Sequence, residues 1–186
     1  MDDDVTYRRT VRFQNTPGEA HFLTFSCYQR RHFLARDRTR RYVIEALESA
    51  RERFQFHLWA YVIMPNHVHL LVFPLEEEYD MAKIETAVKL SVSRRAMNYL
   101  RKHNPDGLRL LETGQRYTPH RFWQQGNGYD QNVDSREAVF EIVKYIHDNP
   151  VRVGLCDKPE EWYCSSAGEW IEEGRGPLRL DRESLD

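Results

Sequence analysis

The pattern of apolar and polar positions predicts four β-strands along this chain, of which the first alternates. Enrichment in aromatic and β-branched residues supports the same segments. The strands are expected at 21–28, 56–64, 67–73 and 129–133, the last preceded by a short extended piece at 121–123 and a Gly-Asn-Gly interruption. Only Pro65 and Asn66 separate the second strand from the third. Both residues favour a turn, so these two strands should form a hairpin.

Apolar residues that recur every three or four positions predict three helices. They are expected at 37–54, 80–104 and 134–149. Asp37 is placed to cap the first helix, and Asp134 or Ser135 to cap the last. Pro150 has no backbone N–H, so we expect it to end the last helix, with Asn149 as the C-terminal cap.

The order of these elements predicts the fold class. Strand-helix-strand-strand-helix-strand is the split βαβ arrangement of ferredoxin-like α+β folds, in which helices pack on one face of an antiparallel sheet. One further helix follows at the C-terminal end. We expect a single domain at 18–168, with an irregular arm at 1–17 and a polar tail at 169–186. Such a fold serves many functions, so function must be argued from particular residues.

The composition is typical of one soluble globular domain. The chain has 186 residues, of which 40% are hydrophobic and 30% charged. No apolar run approaches the about 20 residues of a membrane span, and the acidic start at 1–4 is unlike a secretory signal. Three cysteines without a Cys-x-x-Cys pair argue against a disulfide framework or a zinc ribbon, and favour the cytoplasm.

Charge alone does not select a partner. The formal net charge of −2 does not indicate a nucleic-acid-binding protein. From Asp157 onwards there are nine acidic and four basic residues, so the rest of the chain carries a net +3. Its basic residues cluster at 36–41 and 94–102, but solvated helix faces explain such clusters at least as well.

His67 and His69 are candidate metal ligands. Residues two apart on a strand point to the same face, so the two imidazoles should stand side by side. Imidazole is a common ligand of divalent metals, although a His-x-His sequence alone is weak evidence. These two polar rings lie in an otherwise apolar strand, where burial without partners would be costly. The last helix offers Tyr145 and Asn149, four residues apart and therefore on one face.

Four segments resemble those of a known family of DNA-processing enzymes. The segment 61–72 (YVIMPNHVHLLV) resembles the His-hydrophobe-His signature of the single-tyrosine HUH transposases. The segments 145–155 (YIHDNPVRVGL) and 159–166 (PEEWYCSS), preceded by 122–125 (FWQQ), resemble the REP-associated subgroup of that family. The resemblance covers about residues 18–168, which is most of the chain.

The resemblance implies a ferredoxin-like fold and a phosphoryl-transfer site. Mg²⁺ or Mn²⁺ would be bound by His67 and His69, with Asn149 as the third ligand. Tyr145, on the C-terminal catalytic helix, would attack a phosphate in single-stranded DNA to give a 5′-phosphotyrosine and a free 3′-OH. Relatives of this kind act in DNA transposition or process repeated palindromic hairpins, so hairpin DNA is the expected partner. A monomer is favoured, since the REP-associated relatives have a long C-terminal segment like this one. A homodimer is the alternative, because some relatives exchange the tyrosine helix between subunits.

Two positions depart from the family pattern. Many relatives have a histidine where this chain has Gln131, which leaves the role of that position open. The usual Tyr-Pro-Trp-Ser-Ser sequence is here Trp-Tyr-Cys-Ser-Ser at 162–166, which we interpret as a packing variant.

Elementary chemistry agrees with these implied roles. A tyrosine hydroxyl has a pKa of about 10, so it is a weak nucleophile near neutral pH and needs assistance. A divalent ion polarises a phosphoryl oxygen and offsets its developing charge. A covalent phosphotyrosine conserves the phosphodiester energy, in keeping with the absence of a nucleotide-binding phosphate loop from the sequence.

DNA binding would need cations and stacking surfaces. Lys89 and Arg94 on the second long helix are candidates for phosphate contacts, and Trp123 and Tyr129 for stacking on unpaired bases. Solvated charge and core packing are equally ordinary explanations for these four residues.

Two other functions are compatible with the same residues. A metallohydrolase would hold Zn²⁺ on His67 and His69 and use water as the nucleophile, but no third zinc-type ligand is evident near the pair. A non-catalytic nucleic-acid-binding module would need no metal, but the sequence lacks an RNA-recognition motif of the Lys/Arg-Gly-Phe/Tyr type.

Overall fold

Four antiparallel strands form the sheet on which the molecule is built. The computed structural model describes residues 14–126 and 128–185, so most of the predicted N-terminal arm, residues 1–13, lies outside the described residues. The strands are β1 Ala20–Ser26, β2 Phe56–Ile63, β3 His67–Pro74 and β4 Tyr129–Val133. Their spatial order is β2-β3-β1-β4, which confirms the predicted ferredoxin-like class.

Helices cover both faces of the sheet. The helices are α1 Asp37–Phe54, α2 Met81–His103, α3 Pro105–Leu108, α4 Arg136–Arg152 and α5 Ala167–Ile171. The predicted packing on one face holds for α1 and α2, which cover Leu23 and Leu70. The final long helix, α4, instead packs Val143 and Ile146 against Phe22 and the other face. The site predicted from the histidine pair is thus enclosed between the sheet and α4.

The edge strand β2 is protected by the C-terminal segment. The Leu58 N–H donates to the Asp181 carboxylate at 2.8 Å, and the Tyr61 N–H donates to Ser166 Oγ at 2.9 Å. Between these points a register shift at Leu58/Ala60 brings Trp59 and Ala60 onto the α4 face together. The segment predicted as a polar tail therefore covers a strand edge that would otherwise be open to pairing.

The end of α4 differs from the prediction. The helix continues through Pro150 to Arg152, so Pro150 does not end it and Asn149 is not its cap. A proline so close to the C-terminal end removes a single backbone hydrogen bond, and Pro150 is itself buried. At the other end Ser135, one of the two predicted caps, accepts the hydrogen bond from Ala138 N–H.

Two smaller predictions are also corrected. Asp37 is the first residue of α1 rather than its cap, because Arg36 holds the cap position in an extended conformation. Residues 121–123 do not join β4, and Trp123 instead forms an isolated bridge with Cys27. Cys27, Cys156 and Cys164 are all free. None of the helices in the described part of the chain is long and apolar enough to cross a membrane.

Candidate active site

Strand β3 places the two histidines side by side on the face that α4 covers. His67 is half-buried and His69 is 5% exposed. Their Nε2 atoms approach to 3.1 Å, with the ring planes nearly perpendicular. The alternation of the strand therefore produces the side-by-side arrangement that the sequence predicts.

A chain of hydrogen bonds determines which ring nitrogen of His67 carries the proton. Asn66 Nδ2 donates to the Arg30 carbonyl at 3.3 Å, which turns the Asn66 amide oxygen towards His67 Nδ1 at 2.7 Å. An amide oxygen can only accept, so His67 Nδ1 carries the proton and His67 Nε2 presents a lone pair to its neighbour.

His69 has a partner that can serve either tautomer. Thr24 lies opposite His69 across β1 and β3, and its Oγ1 is 2.6 Å from His69 Nδ1. When Thr24 accepts, the Nε2 lone pairs of both rings converge, which is a two-nitrogen site for a cation. When Thr24 donates, His69 Nε2–H can instead donate to His67. The donor set thus fits a divalent metal. Without a metal, the Thr24 hydroxyl still allows both imidazoles to have hydrogen-bond partners.

Burial keeps both rings neutral. Burial lowers the pKa of His67 to about 4, with a further contribution from the positive charge of Arg30, while a side-chain hydrogen bond to Asn149 opposes the change. Burial also lowers the pKa of His69 to about 3, with smaller contributions from His67 and Arg30. At neutral pH both histidines are therefore in the form that binds metals.

Helix α4 brings the other two predicted site residues to the histidines. The Tyr145 ring lies 5.5 Å from the His69 ring and is 38% exposed. Asn149 is 8% exposed, and its side chain reaches His67 on one side and the Tyr145 carbonyl, at 3.3 Å, on the other. Phe22 packs against both aromatic residues, with its ring 5.5 Å from the His69 ring and 5.7 Å from the Tyr145 ring. A buried amide and a partly exposed tyrosine ring therefore lie beside the two imidazoles.

His147 ties this helix to the rest of the molecule. His147 Nε2 lies 2.8 Å from Ser166 Oγ, which also accepts from Tyr61 N–H at 2.9 Å. Burial lowers the pKa of His147 to about 4, since it outweighs the nearby charge of Asp148. The 162–166 segment that varies from the family pattern thus carries a contact that positions α4.

The four candidate DNA contacts divide between the two faces of the sheet. Tyr129 lies near the site, 44% exposed, with its ring 5.8 Å from Phe22 and its hydroxyl donating to Gln131 Oε1 at 2.7 Å. The other three residues belong to the opposite face or to α2. Lys89 Nζ pairs with Glu85 at 2.9 Å, and Trp123, 5% exposed, donates from Nε1 to the Lys89 carbonyl. Arg94 is exposed on α2.

The ligand set has only two side chains of the usual metal-binding types. Within residues 14–126 and 128–185 no group of three or more His, Cys, Asp and Glu side chains could hold a metal ion. Two imidazoles and the Asn149 amide form a neutral set, so a bound divalent ion would keep its full charge for an anionic substrate. Sequence reasoning missed Thr24, Asn66 and Phe22, which depend on pairing and turn geometry that no motif shows.

Comparisons with known proteins agree with this architecture. A family model described as "Transposase IS200 like" matches residues 18–149. A Haemophilus influenzae protein assigned as a candidate REP-associated tyrosine transposase is 27% identical over 168 residues, covering 86% of this chain and 84% of that protein. A solved structure of a REP-associated tyrosine transposase bound to a REP hairpin superposes with a TM-score of 0.68 at 18% identity, over 88% of this chain and 85% of that one. The structural likeness supports the fold, and the family match covers the whole histidine-tyrosine site.

Proposed function

The chain belongs to the IS200-like transposase family, as its motifs predict, and we propose that it cleaves and rejoins single-stranded DNA with Tyr145 as the nucleophile. One observation carries the proposal: two neutral imidazoles with converging Nε2 atoms face an exposed tyrosine across a sheet-helix interface. Neither a structural tyrosine nor a pair of core histidines needs this arrangement.

The metal-binding residues in this proposal are His67, His69 and Asn149. Mg²⁺ or Mn²⁺ held there would polarise a non-bridging oxygen of the phosphate and offset the charge of the transition state. Neighbouring residues hold these side chains in position: Thr24 and Asn66 form hydrogen bonds with the imidazoles, and the buried Asn149 lies within the last turns of α4.

The chemistry of Tyr145 is a transesterification. Its Oη forms a bond to phosphorus as the bond from phosphorus to the 3′ oxygen breaks. The tyrosine proton is lost and the leaving 3′ oxygen gains one, which gives a 5′-phosphotyrosine and a free 3′-OH. Attack by the 3′-OH of another strand reverses the step, so no external energy source is consumed. At 38% exposure the Tyr145 ring is accessible to such a strand.

We assign hairpin DNA as the substrate class and residues 18–168 as the catalytic unit. The solved relative is described as bound to a REP hairpin, which supports a folded single strand here. Tyr129 is the candidate stacking residue that lies on the site face, and Arg94 is a candidate phosphate contact from α2. Lys89 and Trp123 contribute by supporting the loop before β4 rather than by open contacts.

The proposal is tested by trapping the covalent intermediate. Wild-type protein is incubated with Mn²⁺ and a labelled single strand that carries the DNA flanking its gene. We expect a protein–DNA adduct that EDTA and Tyr145→Phe both abolish. Tyr163→Phe, at a tyrosine that is 67% exposed, is the matched control and should form the adduct at the wild-type level.

Other outcomes would refute the proposal. An adduct that persists in Tyr145→Phe would remove that residue as the nucleophile. Cleavage without any adduct, surviving the Tyr145→Phe change, would instead favour hydrolysis by a metal-activated water.

A further inference from the structure

The turn after β1 has an unusual backbone. Gln29 (φ 53°, ψ 28°) and Arg30 (φ 55°) both lie in the left-handed region, within the short 3₁₀ turn Tyr28–Arg30. Side chains with a Cβ rarely adopt this conformation, and two in succession are rarer still. Strain of this kind persists only where the surroundings enforce it, and it is concentrated at functional sites.

Hydrogen bonds hold this turn against the histidine pair. Arg30 N–H donates to the Cys27 carbonyl at 2.9 Å, and Gln29 N–H donates to Gln124 Oε1 at 3.1 Å. The Arg30 carbonyl accepts from Asn66, the same side chain that fixes the His67 ring. The backbone of Arg30 is therefore part of the network that orients a proposed metal ligand.

Arg30 is an exposed cation close to the histidine pair, since its carbonyl accepts from the Asn66 side chain that also bonds His67. Its charge is close enough to lower the pKa of both His67 and His69. In the described part of the chain, five other arginines are paired with carboxylates, whereas the Arg30 guanidinium has no hydrogen bond or ion pair. The paired ones are Arg40, Arg51, Arg95, Arg109 and Arg179.

A bound anion would give this position a role that a metal alone does not. A fixed positive charge beside two imidazoles opposes the binding of a metal cation, so metal binding alone does not account for it. A phosphate that bridges the metal site and the guanidinium would be attracted by both. Guanidinium groups bind phosphate oxygens in a bidentate manner, and they stabilise charge that develops during phosphoryl transfer.

We propose that Arg30 is a catalytic residue that binds the non-bridging oxygens of the scissile phosphate, held in place by the strained turn. This inference rests on the proposed function and names the contact that presents the phosphate to Tyr145. It requires the left-handed backbone because an extended Arg30 would lose its hydrogen bonds to Cys27 and Asn66.

The backbone conformation supplies a matched pair of variants. Arg30→Gly and Gln29→Gly both place glycine where φ is positive, so each should keep or raise the thermal midpoint. In single-turnover cleavage of the same flanking strand with Mn²⁺, Arg30→Gly should slow adduct formation about 100-fold. Gln29→Gly should retain the wild-type rate. Arg30→Lys keeps the charge but not the bidentate geometry, so it should form the adduct at about a tenth of the wild-type rate.

A binding measurement identifies the phosphate. In a Tyr145→Phe background, a neutral methylphosphonate at the mapped cleavage position should weaken DNA binding about 10-fold. The same replacement should have almost no effect in the Tyr145→Phe/Arg30→Gly protein, since the contact is already absent.

The outcomes separate this inference from the proposed function. Absence of any wild-type adduct would overturn the proposed function and Arg30 with it. A normal adduct together with wild-type cleavage by Arg30→Gly would overturn only the Arg30 assignment. An equal methylphosphonate penalty with and without Arg30 would do the same.

Discussion

Thr24 shows how much of the site depends on a single hydroxyl. Its Oγ1 lies 2.6 Å from His69 Nδ1, and metal binding requires it to accept a hydrogen bond from His69 Nδ1–H. We expect Thr24→Val to lower Mn²⁺ affinity about 10- to 100-fold, because the His69 tautomer is no longer fixed. Thr24→Ser keeps the hydroxyl and should bind the metal normally. Isothermal titration calorimetry of both variants measures this, and equal affinities would show that Thr24 is only a packing residue.

At the residue scale, the sequence predicts the proposed metal ligands but not the residues that orient them. A period of two along β3 is sufficient to place His67 and His69 on one face. Thr24 could not be found in this way, because it depends on the register of β1 with β3, residue against residue. Arg30 was hidden for a related reason, since a positive φ at a residue with a Cβ has no sequence signature.

A second prediction concerns how α4 is held to the sheet. Ser166 Oγ bonds both His147 and Tyr61 N–H, so Ser166→Ala leaves two buried polar groups without a partner. The free energy of unfolding should fall by about 2 kcal/mol. Because α4 carries Tyr145, we also expect slower adduct formation.

A cap variant of the same helix provides the control. Ser135→Ala removes the N-terminal cap of α4 and should cost about 1 kcal/mol. This cap lies at the end of α4 distant from Tyr145, so adduct formation should be unchanged. Urea unfolding and adduct assays on both variants make the comparison. If both variants lose the same fraction of activity, general destabilisation explains the result and the positioning role is wrong.

A third prediction concerns the contact between β4 and β1. A Cβ added to Gly128 would lie 1.8 Å from the Thr24 carbonyl oxygen, which is backbone and cannot move aside cheaply. Gly128→Ala should therefore destabilise the protein by about 2 kcal/mol or more, as overpacking does, and weaken metal binding through Thr24. Gly176→Ala, where the nearest atom is 3.4 Å away, is the control. Equal urea midpoints for the two variants would contradict the close approach.

At the scale of elements, the periodicity of the sequence predicts where helices and strands occur better than it predicts where they end or what they pack against. The bounds of α1 follow from its apolar spacing, and the order of elements predicts the sheet. The face that α4 covers could not be derived, because an amphipathic helix shows that it packs but not which side of a sheet receives it. Pro150 misled the prediction of the helix end, since local preference yields to tertiary packing in a buried last turn.

For the whole molecule, net charge describes the surface poorly. Within the fold, one acid of the C-terminal segment is neutralised by a base outside that segment, because Asp181 pairs with Arg51. Arg30, which lies close to the site, is an exposed cation without such a partner among the described residues. A value of −2 for the chain is therefore compatible with an anionic substrate, because local potential rather than total charge guides binding.

The last prediction is a loss of stability in acid. Burial lowers the pKa of His67, His69 and His147 to about 4, 3 and 4, from an ordinary value of 6.5. Below pH 6.5 the unfolded chain binds protons that the folded one excludes, so the free energy of unfolding falls as the pH falls towards the folded pKa values. One neutral buried histidine accounts for about 2 kcal/mol between pH 7 and pH 5.

Urea unfolding of the metal-free protein in EDTA tests this loss. We expect a decrease of about 4 kcal/mol from pH 7 to pH 5, because solvent screening at the half-buried His67 reduces its share. His69→Gln should reduce the decrease by removing one titrating group, whereas Mn²⁺ should add stability at pH 7 because it binds only the folded protein. Equal stability of the wild-type protein at both pH values would show that burial does not hold these rings neutral. Burial would then no longer explain why His67 and His69 are in the form that binds metals.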